Sequence, residues 1–276
     1  MDEIVSILKK NIADLDERKG LCDNSRKFWI TDCIRTLCKN GVVSFSQTSE
    51  SLIKAGAYSV DDFLVAAGEL RSHSLFELHA DISLGLNENR PKIISYFRNN
   101  LSQKAFIEFF SDEKCEIIER ESYGDIFEDV YNERAFYCIV PIENTSSGKL
   151  LNFYSLIANY NLKICKVCDV EHQGQEASTK FALLTAAPIA FPAVKDINCS
   201  FEISVSAANG SSLSRIIEAA SKCGMLAKRI DSIPFEHLKN EYYYNIVFSL
   251  ENNSEPFDFL CFLSLDGITY TPIGIY

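Results

Sequence analysis

The stretch Cys138-Ile139-Val140-Pro141-Ile142-Glu143-Asn144-Thr145-Ser146-Ser147-Gly148 decides how this chain is read. Its first half continues a near-continuous apolar run from Phe136 to Ile142, the pattern of a strand buried on both faces. Its second half is a carboxylate, an amide and three hydroxyls closed by a glycine, and Leu150 to Tyr160 then reads as a helix. The segment is a link from a central strand to a helix, and its polar groups serve either that link or a binding site.

Outward from it the rhythm is that of an α/β fold. Upstream come a strand at Ile93 to Tyr96, a helix at Gln103 to Phe110, a strand at Cys115 to Glu119 and a helix at Asp125 to Tyr131. Downstream, Leu162 to Val167 and Lys180 to Leu184 read as strands. After Ala187-Pro188-Ile189-Ala190-Phe191-Pro192, a strand at Cys199 to Ser206, an amphipathic helix at Leu213 to Cys223 and a strand at Tyr242 to Leu250 predict a ferredoxin-like module.

Three ordered motifs resemble the prephenate dehydratase family. They are Cys138 to Gly148, the earlier Glu121-Ser122-Tyr123-Gly124-Asp125-Ile126-Phe127-Glu128-Asp129-Val130, and the later Thr179-Lys180-Phe181. Further on, Arg229-Ile230-Asp231-Ser232-Ile233-Pro234 looks like the signature of the ACT domain that follows such enzymes, with Leu213, Gly224 and Ile273-Gly274-Ile275-Tyr276 at matching spacing. The resemblance implies a chain of α/β and α+β class. Its parts are a helical domain over 1–90, a truncated dehydratase-like α/β lobe over 91–190 and an ACT-like domain over 195–276.

Family members remove water and carbon dioxide from prephenate in a cleft between two lobes, where leaving hydroxide must meet preorganised donors and acids away from water. By resemblance, Glu143, Asn144, Thr145 and Ser146 form one wall of that site and Thr179 places a hydroxyl nearest the leaving group. Only 16 residues separate Leu162 from Thr179, too few for another βαβ unit, so the second lobe is expected to be missing and the site to be half a site. The effector positions, by the same resemblance, are Ser211, Leu213, Asp231 and Ser232. Several have drifted: Ser211 and Ser212 stand for glycine and alanine, Leu226 for an asparagine and Ile233 for an arginine, which removes a bidentate partner.

The expectation is therefore a binding or regulatory relative of the dehydratases, a pseudoenzyme of aromatic amino-acid biosynthesis. The alternative is an active prephenate dehydratase, or a chorismate mutase, whose site another chain or the N-terminal domain completes. For the mutase, Lys9, Ile12, Leu15, Asp16 and Arg26 stand at suggestive spacing, but Gly20 and Cys22-Asp23-Asn24-Ser25 are expected to interrupt the long helix it needs. A further helical stretch opens at Val60 and extends towards Leu86, and Gly41 is a helix stop.

Composition narrows the partners. A net charge of −11 repels phosphate backbones and anionic membranes, so no nucleic acid and no membrane partner is expected. The ligand expected is a small aromatic acid or amino acid, and the assembly a homodimer or higher homo-oligomer. No basic and apolar leader opens the sequence, which points to the cytoplasm and to reduced thiols for its 10 cysteines. Cys165-Lys166-Val167-Cys168 with His172 suggests zinc superficially, but on a strand positions three apart face opposite sides, so no metal and no cofactor is expected. No phosphate loop, dinucleotide fingerprint, nucleophile elbow or internal repeat is present.

Overall fold

The computed structural model describes residues 2–39, 44–73, 82–84, 91–111, 113–174, 176–191, 199–206, 213–234, 242–251 and 253–276; side chains of 2–18, 83–84, 190–191, 233–234 and 242 are not among the described ones. The elements run α1 (Asp2–Lys39), α2 (Phe45–Lys54), α3 (Val60–Ser72), β1 (Ile82–Leu84), β2 (Ile93–Phe97), α4 (Asn100–Phe110), β3 (Glu116–Arg120), α5 (Tyr123–Tyr131), β4 (Tyr137–Asn144) and β5 (Gly148–Lys149). They continue with α6 (Leu151–Asn159), β6 (Lys163–Glu171), β7 (Ser178–Thr185), β8 (Ile189–Phe191), β9 (Cys199–Ser206), α7 (Leu213–Lys222), β10 (Leu226–Pro234), β11 (Tyr242–Leu250), α8 (Pro256–Leu265) and β12 (Tyr270–Ile275). Contacts gather them into two compact units: residues 1–77, 206–225 and 254–269 in the first, and 78–205, 226–253 and 270–276 in the second.

The first unit is helical. Helix α3 starts on a capping box in which the Ser59 hydroxyl accepts from the Asp62 amide and the Asp62 carboxylate accepts from the Ser59 amide. Arg26 of α1 binds that same carboxylate at 2.5 and 2.7 Å, tying α1 to the start of α3. The Phe63 and Phe262 rings meet edge to face at 6.4 Å, joining α3 to α8. Arg215 of α7 lies over both rings and grips Asp266 at 2.8 Å.

Two expectations in this region are corrected. Helix α1 runs unbroken through Gly20 and Cys22 to Ser25. The glycine costs only about 1 kcal/mol against alanine, Ser25 returns its hydroxyl to the Leu21 carbonyl at 2.9 Å, and the buried Ile30 and Ile34 fix that end of the helix. Helix α3 stops at Ser72 rather than nearing Leu86, where residues 82–84 instead pair parallel with Ile189–Phe191. Gly41 lies outside the described residues.

The second unit is built on a sheet of order β10-β11-β9-β12-β6-β7-β4-β2-β3, with β5 beside β4. β2 lies parallel to β3 and β4, while β4, β7 and β6 alternate in direction. One face of this part packs Phe109 and Phe110 of α4 against Ile139, Phe181 and Leu183, and the other packs α5 and α6 against Cys138, Val140, Ala182 and Leu184. The two sets alternate along β4, as a strand buried on both faces demands. Strands β9 to β12 lie in the order of a ferredoxin-like sheet, and β12 joins the rest by parallel pairing with β6 at Gly274 and Ile164.

β6 and β7 are consecutive antiparallel strands joined by residues 172–177. Their register slips between Ile164 and Lys166. This irregularity resets the alternation, so Cys165 and Cys168 pack against the same apolar cluster as Phe109 and Phe181, not on opposite faces as the strand pattern implied. Burial pushes both thiols up to about 12, which suits packing and opposes metal binding.

Candidate functional site

The signature's polar half is a β-hairpin. Asn144 pairs with Gly148 and Glu143 with Lys149, leaving Thr145, Ser146 and Ser147 as the loop. Gly148 has φ of +72°, the left-handed conformation glycine adopts without penalty at the end of a three-residue hairpin loop. The Asn144 carbonyl oxygen accepts from the Ser146 amide at 2.8 Å and from the Ser146 hydroxyl, an Asx turn that fixes the loop. Thr145 is held across to β7, its hydroxyl accepting from the Ser178 amide at 3.0 Å.

The other end of the Asn144 side chain reaches the predicted hydroxyl. Asn144 Nδ2 donates to Thr179 Oγ1 at 3.0 Å, and Thr179 Oγ1 lies 2.8 Å from His172 Nε2. Asn144 and Thr179 are register partners on β4 and β7, and His172 follows the end of β6, so three strand ends build the triad. Thr179 is only 5% exposed. The hydroxyl oxygen accepts from the Asn144 amide, and its contact with the His172 ring nitrogen is also made within the chain.

Glu143 is turned elsewhere. Its carboxylate binds Arg229 of β10 at 2.8 Å, Arg229 in turn binds Asp231 at 3.0 Å, and Asp231 binds Lys149 at 3.1 Å. Two opposed residues of the hairpin, one acidic and one basic, are thus held by two residues of opposite sign spaced i, i+2 along β10, which share one face of that strand. Beneath lies Glu202, fully buried, which takes Lys149 Nζ at 2.8 Å and the Tyr276 hydroxyl at 3.0 Å. Lys149 also sits 3.8 Å from the centre of the Tyr154 ring. Burial first, and then Glu202, pushes the Tyr154 and Tyr276 phenols up. Burial opposes the charge on Arg229, but its bonds to Asp231 and Glu143 raise it further.

The structure therefore gathers Asn144, Thr145, Ser146 and Thr179 and places Glu143 with Asp231, a residue read from sequence as an effector position. Ser232 is exposed on β10 and Leu213 opens α7, while Ser211 lies outside the described residues. Sequence reasoning missed His172 as a partner of Thr179, missed Lys149 and Glu202, and read Tyr276 only as the end of a strand. Among the described residues no group of His, Cys, Asp or Glu could hold a metal ion, and no helix is long and apolar enough to cross a membrane.

The class this geometry defines is an α/β sheet with a strand-end hairpin signature, continued by a ferredoxin-like sheet. Residues 98–174 match the family model of prephenate dehydratase. No curated protein sequence matches the chain. Among solved structures it is similar to prephenate dehydratase from Streptococcus mutans, with 17% identity, a TM-score of 0.54, and 67% of this chain and 97% of that chain covered. A protein described as a quorum-quenching acylase, GqqA, gives 15% identity and a TM-score of 0.53 over 67% of this chain and 94% of its own. Prephenate dehydratase from Arthrobacter aurescens, solved in complex with L-Phe, gives 14% and 0.52 over 67% and 89%. At such identities the likeness establishes the fold.

Proposed function

We propose that this chain is a non-catalytic binding or regulatory relative of prephenate dehydratase in aromatic amino-acid biosynthesis. It acts in the cytoplasm as a homo-oligomer and answers to a small aromatic acid or amino acid. The observation that carries the reading is the closed hydrogen-bond circuit at the signature: Thr179, nearly buried, spends its hydroxyl on Asn144 and His172, and Glu143 spends its charge on Arg229. A dehydratase would need those groups aimed at a departing hydroxide, with donors from a facing lobe. By the resemblance that lobe would enter between β6 and β7, and only residues 172–177 separate these two strands. The L-Phe bound by the Arthrobacter relative supports a small amino acid as the ligand class, although the positions that would recognise phenylalanine itself are changed here at Leu226 and Ile233.

The decisive assay is prephenate turnover by the purified full chain. We expect phenylpyruvate to form no faster than in buffer, with no difference between the parent and Thr179→Ala. Formation well above background that is lost in Thr179→Ala would make this an enzyme. One observation favours that second reading: Thr145 and Ser146 stand exposed at the hairpin tip beside Thr179, where another chain's groups could meet them. For the chorismate mutase alternative, Arg26 is committed to Asp62, and the side chains of Lys9, Ile12, Leu15 and Asp16 lie outside the described ones.

A further inference from the structure

The chain has one tryptophan, and it lines a cavity of about 230 Å³ between α1 and α2, remote in sequence from the signature. Helix α1 contributes Trp29, Asp32, Cys33 and Thr36, spaced i, i+3, i+4 and i+7 and so on one face, and α2 contributes Ser51 and Leu52. Leu52, only 2% exposed, is the deepest of these, while Trp29 at 40% exposure stands at the mouth. The walls are mainly apolar with a few polar groups, the composition of a small-molecule site. A cavity of roughly 150 Å³ with apolar walls is enough for benzene, so this one has room for a six-membered ring and a short arm.

Its charge has one sign. Asp32 is the sole charged residue of the lining, and among the described residues it enters no ion pair. The arginines that flank it on α1 are engaged elsewhere, Arg26 with Asp62 and Arg35 with Glu69 at 2.7 Å. Asp32 is exposed, so its carboxylate stands at the rim, and after burial it is the second cause that raises the neighbouring Cys33 thiol. A dicarboxylate would enter with no cation to meet it; an ammonium would meet a carboxylate beside the electron-rich face of an indole.

We propose that this cavity is a binding site for small arylalkyl amines, with the ring against Trp29 and Leu52 and the ammonium at Asp32. The test uses the full chain and phenethylamine, with 3-phenylpropionate as the near-isosteric anion, and follows Trp29 emission together with ligand-observed saturation-transfer NMR. Because Trp29 is the only tryptophan, its emission reports on this cavity alone. We expect a saturable shift with the amine in the millimolar range or tighter, at least tenfold weaker binding of the carboxylate, and about a tenfold loss for the amine in Asp32→Asn, a factor worth roughly 1.4 kcal/mol. Ala55→Leu, which fills the cavity from α2, should abolish the shift while circular dichroism and melting temperature stay at parent values. A response that rises linearly without saturating, equal binding of the carboxylate, or undiminished amine binding in Asp32→Asn overturns the proposal.

Discussion

Lys149 and Glu202, 53 positions apart, form an ion pair of 2.8 Å in which the lysine side chain is 6% exposed and the glutamate 0%. Two charges taken out of water are tolerated because each is bonded further, Lys149 to Asp231 and Glu202 to Tyr276. The pair anchors β5 of the hairpin to β9 of the ferredoxin-like sheet, and Arg229 to Glu143 anchors β4 to β10. These contacts hold the signature in place whether or not it does chemistry.

Removing one partner should therefore cost more than removing both. Lys149→Met leaves Glu202 buried without its cation and is expected to destabilise by about 3–5 kcal/mol. Lys149→Met with Glu202→Gln should recover much of that. Arg229→Ala, at a pair whose side chains are each about a third exposed (36% and 34%), should cost about 1 kcal/mol or less. Urea unfolding of the three variants distinguishes these outcomes, and equal losses in all three would contradict the assignment.

Gly274→Ala is predicted to damage the seam between the two parts of the sheet. A Cβ there would lie 2.6 Å from both the Cβ and the carbonyl oxygen of Ile164, and backbone cannot give way as a flexible side chain can. Overpacking of this kind costs roughly 1–3 kcal/mol and sometimes more. The denaturation midpoint should fall without loss of helix content by circular dichroism in the native baseline; an unchanged midpoint would show that β12 and β6 are not packed this closely.

Much of this fold was legible in local pattern. Strand β9 and strand β11 have the limits read from sequence, and β2, α4, β3, α5, β4 and α6 lie within a few residues of theirs, because each shows a local periodicity or, in β4, a near-continuous apolar run. Helix α8 was not read. Phe259, Leu260, Cys261, Phe262, Leu263 and Leu265 are all buried, so it has no polar face and no helical period to detect. β1 and β8, three residues each and more than 100 positions apart, carry no local signal for their pairing. At the site, Asn144 and Thr179 were legible through motif resemblance. The Arg229 to Glu143 pair was not, since it joins residues 86 positions apart through complementary charge that no local pattern records.

Acid should loosen the helical unit through Asp62. Its bonds to Arg26, opposed by burial and helped by the Ser59 cap, hold this carboxyl at about 2 against an ordinary value near 3.8. A carboxyl whose folded value lies below its unfolded value contributes stability that is fully present above the unfolded value and is lost as pH falls through the folded one. The window is therefore about pH 4 down to 2. Asp129 acts in the same direction: burial alone would raise it, but Arg120 and Ser95 outweigh burial and lower it. With Arg26 half exposed we expect Asp62→Asn to cost about 1–2 kcal/mol at pH 7 and the deficit to vanish towards pH 2. A deficit constant with pH across that window would assign it to packing instead.

The last prediction concerns the effector. Where the sequence resemblance to an ACT domain implies an asparagine and an arginine, this chain has Leu226, 57% exposed at the start of β10, and Ile233 near its end. An aliphatic side chain offers neither the amide's bonds nor a guanidinium's charge-assisted pair, each contact being worth about 1 kcal/mol or more. Calorimetric titration with L-phenylalanine should therefore give no heat for the parent chain. Restoring both groups in Leu226→Asn with Ile233→Arg should produce measurable binding, because β10 pairs with β11 from Leu226 to Pro234, with one register shift between Ala227 and Arg229, and the strand that would carry the two groups is in place. Micromolar affinity in the parent would mean that other residues have taken over recognition and that the ferredoxin-like segment still senses an amino acid; silence in both chains would mean that the pocket itself, and not only its polar groups, has been lost.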